Sequence, residues 1–273
     1  MIDAQAYHRS MPASTDNAPV SPAPAWRENE LNNPHQNSGK PDKVRRMFAA
    51  IAGSYDLNNR VHSFWRDQAW RRYAVKVAQV TPTDHVLDCA CGTGDLTRAF
   101  ADAGPAKVIG TDFTREMLEI AEVKRRKDPG PHGDRVCYME ADAMMLPFAD
   151  ASFDIVSIAF GIRNVADPKR AIAEFFRVLR PGGRLVILEF DKVRVPVVGA
   201  LSEFYTKRIM PITATWISRD KSGAYKYLPA SVETFLDRDQ LGQAMKSAGF
   251  SDVSAKGLTF GVCVCHRAVK PGA

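Results

Sequence analysis

A strand that runs directly into a glycine turn and then a helix constrains this chain more than any other segment. Residues 84–95 read Asp84-His85-Val86-Leu87-Asp88-Cys89-Ala90-Cys91-Gly92-Thr93-Gly94-Asp95, and Leu96-Thr97-Arg98-Ala99-Phe100 then resumes at helical spacing. Glycine permits positive φ and lets a ligand approach the backbone closely. At the C-terminal end of a strand, such a turn forms the ligand crevice of an open α/β sheet.

The acids around the turn select the ligand. A dinucleotide loop of the G-x-G-x-x-G type presents a helix N-terminus to a pyrophosphate. Here Thr97 stands at the third glycine position, and Asp88 and Asp95 flank the turn. Two carboxylates repel a pyrophosphate and suit a ligand with an ammonium and ribose hydroxyls. S-adenosylmethionine carries an ammonium and a sulfonium and no phosphate. Taken alone, the segment also reads as an ordinary strand-to-helix corner, so its context decides.

The context is a regular alternation. Strands are expected at 107–111 (ending at Asp112), 135–140, 153–159 and 184–190. Thr114 is the expected cap of the helix through Met117, Leu118 and Ala121. Asp167-Pro168 opens a helix with Ala171, Ile172, Phe175 and Leu179 inward, and Pro181-Gly182-Gly183 stops it. Two strands at 253–256 and 259–267, joined through Gly257, close the chain after a helix at 238–248. The expected fold is α/β: a doubly wound, seven-stranded, mostly parallel sheet, with a helical N-terminal leader and a helical insertion after strand five.

The flanks differ from this core. Residues 1–41 hold six of the seventeen prolines and little apolar periodicity, and read as a disordered tail. Residues 42–273 form the domain. Its leader, 42–80, has Val44, Met47, Phe48 and Ile51 at helical spacing. A polar bend at 54–59 and a second helix bearing Phe64, Trp65, Trp70, Tyr73, Val77 and Val80 follow. The aromatics either pad the sheet or form a lid. Residues 191–236 break the rhythm with two or three helices over the ligand edge.

At 273 residues the chain buries a core without staples. Five cysteines, an odd number, argue for a reducing compartment. Cys89-Ala90-Cys91 and Cys263-Val264-Cys265 lack the usual zinc spacing, and no metal is expected. The net charge of +6 collects at Arg45-Arg46, Arg71-Arg72 and Lys124-Arg125-Arg126-Lys127, without the aromatic interleaving of a nucleic-acid surface. No run approaches the ~18 apolar residues of a spanning helix.

Acidic residues fall in order at strand ends. Asp112 follows Gly94 by eighteen residues, near the spacing at which an acid reaches ribose hydroxyls. Asp142 follows strand three, where its carboxylate meets an adenine amino group and the Ala143 N–H a ring nitrogen. Asp88 or Asp95 is left for the ligand's ammonium.

On these residues the chain resembles the class I S-adenosylmethionine-dependent methyltransferases. More closely, it resembles the C-methyltransferases of menaquinone and ubiquinone biosynthesis. The resemblance rests on Ser54-Tyr55-Asp56-Leu57-Asn58-Asn59, on Leu87-Asp88 through Gly92-Thr93-Gly94-Asp95-Leu96-Thr97, and on Asp112-Phe113-Thr114-Arg115-Glu116-Met117-Leu118. It continues through Leu146-Pro147-Phe148, Phe160-Gly161-Ile162-Arg163-Asn164-Val165, Arg180-Pro181-Gly182-Gly183-Arg184, Glu189-Phe190, Tyr225-Lys226-Tyr227-Leu228 and the ending Gly261–Arg267. It spans about residues 43–270. Relatives often carry serine where Ala159 stands, and glycine or alanine where Cys91 stands.

The resemblance implies a donor site at Thr93, Asp112, Asp142 and Ala143, and Asp88, Gly92 and Gly94 of the turn are expected to bind the donor with them. It implies C-methylation of a prenylated quinol, a naphthoquinol or a benzoquinol. The ring carbon becomes nucleophilic when a neighbouring hydroxyl loses its proton. None of the six histidines lies plainly at a strand end on the ligand edge. Arg163 and Asn164 do, and a guanidinium stabilises a forming phenolate; the plainer role for Arg163 is an ion pair. Tyr55 or Tyr225 adds a hydrogen bond or stacks on the ring. The expected location is the cytoplasm, with peripheral contact on the inner face of the plasma membrane; a homodimer is left open. Three other readings compete: methylation of another small lipid, a nicotinamide-dependent oxidoreductase, and a non-enzymatic binding module.

Overall fold

A computed structural model describes residues 25–218 and 222–272. Seven strands form one sheet in the order β3-β2-β1-β4-β5-β7-β6. They are β1 His85–Cys89, β2 Lys107–Asp112, β3 Val136–Glu140, β4 Phe153–Ala159, β5 Leu179–Phe190, β6 Ser251–Leu258 and β7 Cys263–Val269. β1 lies parallel between β2 and β4, with Val86 opposite both Val108 and Ile155. β7 is antiparallel to β5 and to β6. The strand order reverses between β1 and β4, and that switch point is where such sheets take ligands.

Helices cover both faces. Trp70 and Ala74 of α3 (Arg66–Ala78) and Leu96 and Phe100 of α4 (Asp95–Asp102) pack on Val86, Val108 and Ile155. On the other face, Ile172 and Phe175 of α6 (Pro168–Val178) and Leu241 and Met245 of α10 (Arg238–Ser247) pack on Leu87, Val156 and Ile187. Each fully buried large side chain contributes roughly 1.5–3 kcal/mol. α5 is Arg115–Lys127.

The Asp167 carboxylate caps α6, accepting from the Lys169 and Arg170 N–H groups. That helix ends at Val178 without needing Pro181-Gly182-Gly183, which lie in β5; Lys270 Nζ caps it, donating to Phe176 O and Leu179 O at 2.7 and 2.8 Å. Thr114 does not cap α5 through its hydroxyl; its N–H instead donates to Asp112 Oδ1. β6 runs through Gly257, and the hairpin turns at Thr259–Gly261.

Two expectations for the flanks change. Residues 25–41 are not part of a disordered tail. Trp26 is 3% exposed and stacks on Tyr227 at 4.7 Å, short 3-10 turns follow at Glu28–Asn32 and Pro34–Gln36, and α1 (Lys40–Ile51) begins inside that range. One buried tryptophan and the Asn33 cap on His35 N–H outweigh the proline content there. The rest of the expected tail, 1–24, lies outside the described residues. Residues 54–59 are not a bend: α2 spans Tyr55–His62. The corner between α2 and α3 is Phe64-Trp65, both at positive φ and both exposed, so neither pads the sheet.

The insertion consists of α7 (Pro196–Phe204), a π-helical turn at Tyr205–Ile209, α8 (Met210–Ser218) and α9 (Ala224–Thr234). Ala214, Ala224, Tyr225 and Tyr227 close over Val44, Met47 and Ile51 of α1, forming a third apolar cluster above the ligand edge.

Candidate active site

Strands β1, β2 and β4 deliver their C-terminal turns to one edge, around a cavity of about 110 Å³. Gly92, Asp112, Asp142, Ala143, Ala159 and Asn164 are among its lining. Among the described residues, that lining holds two carboxylates and no lysine, arginine or histidine. Asp112 Oδ2 accepts from the Gly92 N–H and Oδ1 from the Thr114 N–H, each at 2.8 Å. Burial pushes this carboxyl up, and the backbone N–H groups oppose that rise. Asp142 Oδ1 accepts from the Met144 N–H at 2.8 Å. Its Oδ2 and the neighbouring Ala143 N–H take no partner among the described residues. An acceptor and a donor side by side match the amino edge of adenine, and two acids without a cation match a positively charged nucleoside. A pyrophosphate finds no counter-charge there.

The glycine turn divides its residues between ligand and scaffold. Gly92, at φ +56°, faces the cavity, with Tyr55 as the nearest side chain to its absent Cβ. Gly94, at φ +84°, serves packing: a Cβ there would clash with the Tyr138 hydroxyl. Asp88, Thr93 and Gly94 are absent from the cavity lining. Asp88 lies beneath it, accepting from Thr97 Oγ1 at 2.7 Å and Ser157 Oγ at 2.8 Å. Burial raises its carboxyl to about 6, against the pull of those two hydroxyls. Neither Asp88 nor Asp95 is available for a ligand ammonium. Asp95 pairs with Lys124 at 2.6 Å and Arg60 at 2.7 Å. Burial alone would raise its carboxyl; Lys124, Arg71 and Arg60 together hold it down at about 2. The Thr93 hydroxyl is committed to Asp56.

A second cavity, about 770 Å³, opens on the insertion side. The two cavities share Phe48, Tyr55 and Phe160 as a common wall. Phe160 leaves β4 at φ +56°, a rare conformation for a bulky residue. Its carbonyl accepts from Arg163 Nη1 at 2.6 Å and Asn164 Nδ2 at 3.2 Å. Gly161 permits this, because a Cβ there would come within 2.6 Å of Ala90 Cβ.

Arg163 borders the large cavity and Asn164 the small one. The Arg163 guanidinium is not free: Nη1 lies 2.7 Å from Glu189 Oε1, and both side chains are buried. It also stands 5.4 Å over the Phe190 ring. Asn164 Oδ1 accepts from the Tyr227 hydroxyl at 3.0 Å. Tyr55 borders both cavities, and burial pushes its phenol up.

Phe160 and Glu189 carry the resemblance, but no role follows for either from periodicity or spacing. One further residue at this edge escapes a reading of the sequence. His62 lines the large cavity, with Nδ1 at 2.9 Å from Asn58 O and Nε2 at 2.8 Å from Thr213 Oγ1. It lies seven residues after Tyr55, two helical turns along one face, a signal lost when 54–59 is read as a bend.

The sheet order with its antiparallel seventh strand, and an acidic nucleoside pocket at the switch point, define a class I methyltransferase whose donor is S-adenosylmethionine. A solved SAM-dependent methyltransferase from Thermotoga maritima has the same fold at 22% identity, with a TM-score of 0.57, over 83% of this chain and 99% of that one. The chain belongs to the ubiE/COQ5 methyltransferase family, whose profile matches residues 36–270. It is 45% identical over 226 residues to the demethylmenaquinone methyltransferase of Thermus thermophilus, covering 82% of this chain and all of that one. It is 40% identical to the ubiquinone/menaquinone biosynthesis C-methyltransferase UbiE of Geotalea daltonii, over 85% of this chain and 97% of that one.

Proposed function

We propose that the chain transfers a methyl group from S-adenosylmethionine to a ring carbon of a prenylated quinol, demethylmenaquinol giving menaquinol. The observation that carries this reading is the wall of Phe48, Tyr55 and Phe160 between a nucleoside pocket and a large, mostly apolar cavity. The relatives named for demethylmenaquinone and ubiquinone/menaquinone C-methylation support it. The benzoquinol intermediate of ubiquinone biosynthesis is the second reading, supported by the same relatives.

The donor supplies an electrophilic methyl group on a sulfonium. Asp112, Asp142 and the Ala143 N–H hold its nucleoside, and Gly92 lets it approach the backbone. The flat ring lies between Tyr55 and Phe160, which exclude water and fix its distance from the donor pocket; such positioning supplies much of the acceleration. Arg163, anchored by Glu189, stabilises the phenolate that forms when a ring hydroxyl loses its proton. Asn164, held by Tyr227, borders the donor side. Residues 42–80 and 191–236 together make the acceptor side of the domain. Transfer of labelled methyl to reduced, short-tailed demethylmenaquinol tests the reading, and transfer only to a sterol or an amine overturns it. Arg163→Ala abolishes turnover and leaves S-adenosylhomocysteine binding nearly intact; equal loss of both makes Arg163 structural.

A prenyl tail brings a bilayer to the cavity mouth. No helix among the described residues is long and apolar enough to cross a membrane. Val197, Leu201, Phe204, Ile212 and Trp216 form an exposed stripe along α7 and α8, with Trp216 82% exposed. Phe64 and Trp65 extend it, Phe64 lying 5.9 Å from the Tyr205 ring. Arg66 follows Trp65 in the chain and Arg208 lies in the turn between α7 and α8; both are exposed, as are Lys192 and the acid Glu203. Contiguous aromatic and basic surface suits an anionic lipid interface. Co-sedimentation with anionic vesicles, lost in Leu201→Glu/Trp216→Glu, is the expected result. A dimer in light scattering without vesicle binding assigns the stripe to a second copy instead.

A further inference from the structure

We infer that Lys40 is a positioning residue for methyl transfer, its buried ammonium fixing the turn that sets Arg163 and Asn164 between the two cavities. Lys40 opens α1 and is 2% exposed. Its Nζ donates to Arg163 O at 2.8 Å and to Val165 O at 2.6 Å, and its third contact is His35 Nδ1 at 3.1 Å. All three donor directions are used, and no carboxylate among the described residues lies within ion-pair distance of it. A buried ammonium without a counter-ion is costly. It is therefore not neutralising an acid; it is holding backbone carbonyls.

The turn needs such a hold. Phe160 is in the left-handed region, and the carbonyls of Arg163 and Val165, beyond the end of β4, require donors. The Arg163 and Asn164 side chains are fixed by Phe160 O, and the Arg163 and Val165 carbonyls by Lys40. The contacts close into a ring. His35 Nε2 lies 2.8 Å from Ser231 O on α9, and Ser231 Oγ accepts from Arg163 Nε at 3.3 Å. Because Ser231 O can only accept, His35 carries its proton on Nε2 and receives the Lys40 bond on Nδ1. Burial favours the neutral imidazole, and so does the nearby positive charge of Lys40 and Arg163. Leader, catalytic turn and insertion thus meet at one lysine.

The charged and titratable groups facing Lys40 are His35 from the 3-10 turn and the Arg163 guanidinium with its partner Glu189 on β5; Tyr227 of α9 reaches the same turn through Asn164. Burial, with repulsion from Arg163, holds the ammonium down at about 8. Lys40 therefore loses its proton within an assayable range, and turnover falls as pH rises through it.

The acceptor used in the test rests on the quinol reading, and wild-type turnover alone checks that reading. Lys40→Met lowers kcat about ten-fold or more, keeps S-adenosylhomocysteine affinity within about three-fold, and speeds amide exchange at 161–165 in the complex. Lys40→Arg, charged at every pH, retains turnover and moves the alkaline limb upward by about one pH unit or more. Exchange is read without any acceptor, so it tests Lys40 even if the quinol is wrong. Lys40→Gln replaces Lys40→Met if the latter does not fold. Unchanged kcat with unchanged exchange overturns the inference. So does parallel loss of donor binding, thermal stability and turnover in every variant, which marks a merely structural lysine.

Discussion

The Thr93 hydroxyl donates to Asp56 Oδ1 at 2.5 Å, and Lys124 Nζ meets the other Asp56 oxygen at 2.8 Å. The glycine turn is thereby pinned to α2, one residue beyond Tyr55. Thr93→Val unpins it without changing the side chain's shape. Because Tyr55 closes the nucleoside pocket, S-adenosylhomocysteine should bind about five-fold more weakly, a loss near 1 kcal/mol, the usual worth of one such hydrogen bond. Calorimetric titration reads this directly; unchanged affinity means the pin is ornamental.

Glu189 and Arg163 form a buried pair whose members also serve other groups: Glu189 accepts from the N–H groups of Arg163 and Phe190. Removing one partner of such a pair costs about 3–5 kcal/mol. Glu189→Ala should lower the unfolding free energy by that order and silence methyl transfer. Adding Arg163→Met should restore part of the stability and none of the activity. Urea melts of the four proteins give the cycle, and strict additivity would argue against coupling.

Asp88 supplies a pH signature. Its folded carboxyl stands at about 6 against an ordinary 3.8, so the folded state holds the proton more tightly than the unfolded chain. Stability is therefore lost as pH rises from about 4 to about 6, by roughly 3 kcal/mol for two units. Asp88→Asn removes this titration. It should be more stable than the parent at pH 8, and the gap should close as pH falls through 6. A gap independent of pH would place its origin elsewhere.

Gly94 makes a fourth test. Alanine there meets both a positive φ and the Tyr138 hydroxyl. The conformational part costs about 1–2 kcal/mol, and the clash adds to it. Gly94→Ala/Tyr138→Phe should recover only the hydroxyl's part of the clash, since Cζ of residue 138 and Ala121 Cβ still stand 3.0 and 3.2 Å from the new Cβ. Full recovery in thermal melts would mean that φ is not limiting.

These residues mark how far the sequence could be read. The strand alternation, the turn at Gly92 and the acids at 112 and 142 are local: each follows from periodicity or from a residue type at a strand end, and each stands where expected. Asp88 and Asp95 were legible as acids but not as to direction. Asp88 points under the turn to Ser157, sixty-nine residues on, and Asp95 to Arg60. Nothing in local spacing reports a partner across the sheet. Residues 25–41 failed for a related reason: composition suggested a tail, while Trp26 and Lys40 find their places against Tyr227 and the turn after β4.

The register of β1 has a consequence for how the chain is made. β1 pairs with β2 from the next segment, but its other edge waits for β4, with Val86 facing Ile155. A chain released as far as residue 150 presents Val86 and Leu87 along an open parallel edge, with Asp88 lacking its Ser157 partner. Pairings that span such separations form slowly, and the unfinished edge is prone to aggregate. The donor pocket therefore cannot assemble during synthesis of its own glycine turn. It waits for β4, and the acceptor side waits for the insertion at 191–236, so a truncation anywhere before β4 should yield neither half of the enzyme.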